Sequence, residues 1–269
     1  MGERAETHIG LRVLGWTMGL FWLALFFGLV DLSVPLVMHD RPEFYANYLL
    51  STGWGVLFTF FVGLPLCFLG VRSDWICAAL INAVAGIAVL IAAIASGQPA
   101  QLIIVVGLLV PLVAVWNSAR FSDHPGIALR RLLGERVRFV ARLPLLVLAL
   151  IAVPPAVVYA AQMIEAARTG VPEPEITWDL EHAPVQAAFA LAIPLAAAAL
   201  ALMLAGWRPM AWLIAAGTAW FGVVSIVFPD HFGSWGSFWG WMGVAWSVAL
   251  ALVALVPRRL SRPARPARR

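Results

Sequence analysis

Eight apolar runs decide what this chain can fold into. They cover roughly 13–36, 49–71, 75–96, 101–117, 143–163, 185–205, 209–228 and 235–256. About twenty helical residues cross the roughly 30 Å of hydrocarbon in a bilayer, and the shortest run, the fourth, sits at the lower edge of that range. The runs are continuous rather than alternating, and Ala and Leu dominate them, which excludes the dyad pattern of a membrane β-barrel. In lipid every backbone N–H and C=O must be satisfied within its own segment, so each run reads as a helix. Composition agrees: 62% of the 269 residues are hydrophobic and only 12% charged, about half the charge of an average soluble domain.

Arginine placement orients the helices. All 18 basic residues are arginine, a usage that suggests a GC-rich bacterial genome. Sixteen fall before the first run, in alternate connections and in the tail, whereas Arg41 and Arg168 alone occupy the other side. Basic residues flanking spans stay cytoplasmic. The pattern therefore predicts eight helices with both termini inside, in a bacterial cytoplasmic membrane. The start, MGERAETHIGLR, has no small-residue cleavage site after the first run, so that run reads as a retained helix. Most acids lie on the opposite side, including Asp31, Glu173, Glu175, Asp179, Glu181 and Asp230, and would concentrate cations there.

An internal repeat sets the domain organisation. Residues 70–87 align without gaps to 206–223, matching Gly70, Arg72, Ala79, Ala83 and Gly86 to Gly206, Arg208, Ala215, Ala219 and Gly222. Such pairs mark duplicated transporter-like bundles. The expected architecture is all-α, with two parallel four-helix halves at 1–117 and 143–256. A basic amphipathic connection, 118–142, joins them, and a disordered Arg/Pro-rich tail occupies 257–269. The connection places Leu129, Leu132, Leu133, Val137 and Val140 on one stripe among arginines, suited to an anionic inner leaflet. In this setting the basic tail reads as a membrane tether, and no nucleic-acid partner is expected.

Candidate chemistry gathers at the acidic face. Asp31 is the one carboxylate placed clearly inside a run, and an intramembrane acid is a functional candidate with a bland alternative: snorkelling, or a bond from Ser33. With Glu181 it forms a candidate acid–base pair. His39-Asp40, Glu181-His182 and Asp230-His231 put imidazoles beside carboxylates in three turns, so His39, His182 and His231 are candidate ligands of a divalent metal cofactor. Solvated loop residues are the alternative. The stretch VFPDHFGSWGSFWGWMG, 227–243, places Gly236, Gly240 and Gly243 on one face, a small-residue surface for another helix or a membrane-protein partner. Trp235 and Trp239 fall at headgroup level. Trp246 lies about 10 Å deeper on their stripe. Trp239, Trp246 and the Gly240 backbone are thus candidate walls of an apolar ligand pocket, with Asp31 as its polar group if the first and last helices meet. Prolines at 35, 65, 111, 154–155 and 194 predict kinks. Cys67 and Cys77 read as small core residues.

No P-loop, nucleotide-binding glycine motif, deep histidine pair or Ser/His/Asp arrangement occurs. Three functions stay open: a binding or assembly subunit, a small transporter for a hydrophobic or cationic solute, and an intramembrane enzyme acting on a lipidic substrate through Asp31.

Overall fold

The computed structural model describes residues 2–37, 48–120, 139–170 and 181–256. Among them the chain is entirely helical, with eight helices long and apolar enough to span a membrane: α1 Ile9–Val37, α2 Leu49–Val71, α3 Ile76–Ser96, α4 Pro99–Asn117, α5 Arg142–Thr169, α6 His182–Leu200, α7 Trp207–Val227 and α8 Gly236–Leu255. The chain has the make-up of a multi-pass membrane protein. Of the basic connection 118–142, described backbone reaches Arg120 and resumes at Phe139, continuing α4 and α5. The rest of it and the tail 257–269 lie outside the described residues.

Packing divides the helices by burial. In α2, α3, α6 and α7 between 56% and 78% of the span is buried, against 28–33% in α1, α4, α5 and α8. The first four make the core. On one flank α1 packs on α2 and α4, and on the other α5 packs on α6 and α8. Within the core α3 lies on α6, α2 on α7, and α2 on α6, while α4 packs on α3 and α8 on α7. These relations are nearly unchanged when each helix is exchanged for the one four later; the exception is α3 touching α5.

Hydrogen bonds tie each end of the bundle. At the end bearing Arg72, Arg12 Nε donates to Gly70 O (3.2 Å), Cys77 N to Ala205 O (3.2 Å), and Arg208 Nη2 to Val256 O (2.8 Å). At the other end Gln98 Nε2 reaches Glu181 Oε1 and Gln101 Nε2 reaches Glu181 O, both at 2.8 Å. Both cysteines are buried free thiols.

Three expectations need correction. The first run is not one helix: it breaks at Phe26–Phe27, where Phe27 takes φ +61°. The sixth begins earlier and ends sooner than 185–205, at His182–Leu200. Pro184 suits its first turn, where a missing N–H costs nothing. Its end is set by tertiary contact, because Met203 and Gly206 turn left-handed to bring Ala205 O onto Cys77 N. Most of the prolines do not break their helices: Pro35, Pro111, Pro144, Pro154, Pro155 and Pro194 all lie inside helices. Pro65 differs. The π-helical Leu57–Gly63 ends just before it, and the widened turn accommodates a ring that would clash with the carbonyl four residues back.

Candidate functional site at the break in the first helix

Helix α1 is assembled from three pieces. A regular helix ends at Leu20, a π-helical turn covers Phe21–Leu25, and a fresh helix, Gly28–Val37, carries Asp31 in its first turn. No proline causes this. The π turn of α1 packs on the π-helical stretch of α2, and π-helical turns within α-helices are frequent at functional sites. Trp54 of α2 donates its indole Nε1 to Phe26 O (3.2 Å), supplying from a neighbouring helix a bond for a carbonyl at the break.

Four aromatic rings pack on one another at the break. Trp22 stacks on Phe58 (5.2 Å, 7°) and Phe26 on Trp54 (5.2 Å, 20°), while Phe26 meets Trp22 and Phe58 edge-on at 4.6 and 4.8 Å. Trp22, Trp54 and Phe58 are buried. Glycines let the backbones close around them. A methyl built on Gly28 would lie 2.8 Å from Trp22 O and 3.1 Å from Thr59 Oγ1. Two polar atoms of this region, Trp22 Nε1 and Thr59 Oγ1, are buried with no hydrogen-bond partner. Orphaned donors in a water-free interior are costly and call for an explanation.

Asp31 stands one turn beyond the break. Its residue is half-buried, it lies within electrostatic reach of His182 at the start of α6, and the His182 ring packs on Trp54 at 4.8 Å. Ser33, the alternative partner, gives its one hydroxyl proton to Val30 O (2.7 Å). Asp31 and His182 are therefore brought together, as two sequence candidates on one side of the bundle. Glu181 is engaged elsewhere, its carboxylate by Gln98 and its carbonyl by Gln101.

The structure describes the other candidates only in part. His39 lies outside the described residues. His231 packs on Phe228 (5.1 Å), and burial pushes its imidazole below the ordinary value against the opposing pull of Asp230. Among the described residues no three His, Cys, Asp or Glu side chains gather as a metal site would require. The first and last helices do not form a seam: α8 packs principally on α7 and α5, and Trp246 Nε1 donates to Leu148 O of α5 (2.9 Å). Trp239 is 51% exposed on the outer surface of α8. The pocket expected between Asp31 and Trp246 is thus replaced by two separate environments, because α8 pairs with α5 on the flank opposite α1.

The glycine face of α8 also resolves differently. Gly240 alone makes the close helix contact, against Gly222 O of α7 at 2.7 Å from its would-be methyl. Gly243 lies under the Trp235 ring of its own chain segment, and Gly236 faces open space. Trp235 turns inward, stacked on Phe189 (5.9 Å, 6°) and edge-on to Phe221 (4.7 Å). The rich chemistry of 227–243 is mainly the closure of one tight turn: Ser225 Oγ accepts Trp235 N (3.2 Å), and Ser234 Oγ accepts Gly236 N (3.0 Å).

The sequence reading missed Trp22, Phe26, Trp54 and Phe58. The available signal was length. The first run, 29 residues as folded, exceeds what one crossing needs, and FWLALFFG in its middle is dense in aromatics. No protein family, no curated protein and no solved structure matches the chain.

Proposed function

We propose that this chain is a small transporter or binding protein for a hydrophobic solute with one cationic end, held at the break of α1. The observation that carries the reading is that break itself: a discontinuous helix at which Trp22, Phe26, Trp54 and Phe58 pack together, with orphaned Trp22 Nε1 and Thr59 Oγ1 and Asp31 one turn away. Broken helices place substrate sites in duplicated bundles, aromatic faces attract cations, and an intramembrane carboxylate supplies the counter-charge. The enzyme reading loses support because Glu181, the partner it needs, is tied to Gln98. The assembly reading loses its basis because Gly240 is used inside the chain.

Two parallel four-helix halves belong to the same proposal. A methyl on Gly86 would sit 3.2 Å from Leu108 Cβ, and one on Gly222 3.1 Å from Val244 Cγ2. Gly222 and Val244 each stand 136 positions after Gly86 and Leu108 (222 − 86 = 244 − 108 = 136), the offset of the duplicated G-x-R turns. Asn82 and Thr218, also 136 apart, each carry a buried oxygen without a partner. The halves would then differ where function lies, since α5 runs unbroken through Phe139–Thr169 and α1 does not.

Both termini are assigned to the cytoplasmic side of a bacterial membrane on the arginine asymmetry. Reporter fusions at Gly97, Glu175 and His231 should report an external location, and one at Pro125 a cytoplasmic one. Two contrary signals would reverse the assignment.

The site is tested with a hydrophobic monocation, tetraphenylphosphonium, titrated against the purified full chain in nanodiscs. Asp31→Asn keeps the shape and removes the charge, so affinity should fall at least about tenfold, the scale of one charge-assisted contact. Asp31→Glu should retain part of it. Equal binding by wild type and Asp31→Asn would remove Asp31 from the site.

A further inference from the structure

We propose that the Arg72 end of α1 carries a binding site for the headgroup of an anionic phospholipid. Ile9, Arg12, Val13, Trp16 and Thr17 line a groove of about 390 Å³. Their spacing, i, i+3, i+4, i+7 and i+8, puts all five on one helical face. Arg12 is the charged residue among them. Its Nε is held by Gly70 O at 3.2 Å, which fixes the plane of the guanidinium and turns the paired Nη groups away from that carbonyl. A guanidinium so oriented presents the two-pronged donor edge that matches a phosphate. Among the described residues no carboxylate lines the groove.

The rest of the groove suits the remainder of a lipid. Trp16 lies one turn deeper, across Gly70: a methyl on Gly70 would meet Trp16 Cδ1 at 2.8 Å, so the missing side chain lets the indole and the arginine both reach α2. Trp16 is 43% exposed, and Ile9 and Val13 are 59% exposed each. Indoles settle at the headgroup boundary, and Val13, on the deeper side of Arg12, offers an apolar flank to an acyl chain. Thr17 adds a hydroxyl. A free phosphate would satisfy Arg12 but leave the apolar surfaces uncovered, which commits the occupant to a lipid. The site is independent of the break at Phe26–Phe27, two turns further along α1.

Native mass spectrometry of the delipidated full chain, titrated separately with phosphatidylglycerol and phosphatidylcholine, tests this. Wild type should keep one phosphatidylglycerol through activation that strips phosphatidylcholine. Arg12→Gln should weaken that retention about tenfold, and Arg12→Lys should recover only part, since an ammonium cannot bond Gly70 O and present a fork together. Arg208→Gln, at the same end but bonded to Val256 O, should leave retention unchanged and separates this site from general surface charge. Thermal unfolding of each variant checks that the fold survives. Were Arg12→Gln not to fold, the Arg12→Lys and Arg208→Gln pair would carry the comparison. Equal retention of both lipids, unchanged retention in the Arg12 variants, or equal loss in Arg208→Gln would each overturn the proposal. Displacement of the lipid by millimolar inorganic phosphate would overturn the lipid assignment.

Discussion

Gly53→Ala should destabilise the folded chain by about 3 kcal/mol, combining an overpacked helix contact with broken buried hydrogen bonds. A methyl on Gly53 would lie 1.4 Å from Gln186 Oε1, so the two cannot coexist. Gln186 has no room to yield. It is fully buried, and its Nε2 donates to Tyr159 Oη (2.8 Å), Leu49 O (3.2 Å) and Gly233 O (3.3 Å). Tyr159 in turn donates to Gly233 O. One amide thereby joins the start of α2, the middle of α5, the start of α6 and the turn between α7 and α8. Rotating it away would abandon all three acceptors where no water replaces them. Gln186→Ala alone should cost less, because Tyr159 keeps Gly233. In the double variant the clash is gone, so Gly53→Ala should then add little. The double-mutant cycle, read by reversible unfolding in detergent, should show a coupling of about 2 kcal/mol. Additive costs would mean that the knot at Gln186 does not govern how closely α2 approaches α6.

The helices were legible for a reason that does not depend on side-chain detail. Hydrocarbon forbids an unsatisfied backbone, so length and hydropathy alone locate the spans; eight apolar helical spans lie at the eight expected runs, the first broken at Phe26–Phe27 and the fifth extending to Thr169 rather than 163. What governs the interior was not legible in the same way. Gln186 stands second in the expected run 185–205, where nothing singles it out; its role comes from Leu49, Tyr159 and Gly233, which are 137, 27 and 47 positions away. The break at Phe26–Phe27 has no proline or glycine at its pivot, and it depends on an indole from Trp54, 28 positions later. Asp31 was visible because a charge within an apolar run stands out. Trp22, Trp54 and Phe58 were not, because an aromatic in such a run reads equally well as filler. Trp246 misled for the converse reason: the partner of α8 is chosen by Gly240 meeting Gly222 and by the indole bond to Leu148, neither of which a hydropathy pattern carries.

Gly55→Ala should separate function from folding. A methyl there would stand 2.2 Å from Leu32 N, 2.6 Å from Leu32 Cα and 2.7 Å from Asp31 C. Every obstacle is backbone, so no rotamer change relieves it, and the segment Gly28–Val37 must move off α2 as a body. That segment follows the break, and only Gly28, Val34 and Pro35 within it are buried. The displacement carries Asp31 away from His182 and draws on the same junction that holds Phe26 O to Trp54 Nε1 at 3.2 Å. The global cost should remain about 1–2 kcal/mol, typical of overpacking at a yielding contact, below that of Gly53→Ala two residues earlier. Tetraphenylphosphonium affinity should nevertheless fall about tenfold or more, as with Asp31→Asn, because a counter-charge acts only where it is held. Gly10→Ala, with nothing within 4 Å of the added methyl, should change neither quantity. Normal binding by Gly55→Ala would show that the contact of this segment with α2 does not position Asp31, and a loss of stability matching Gly53→Ala would show that the segment is part of the core.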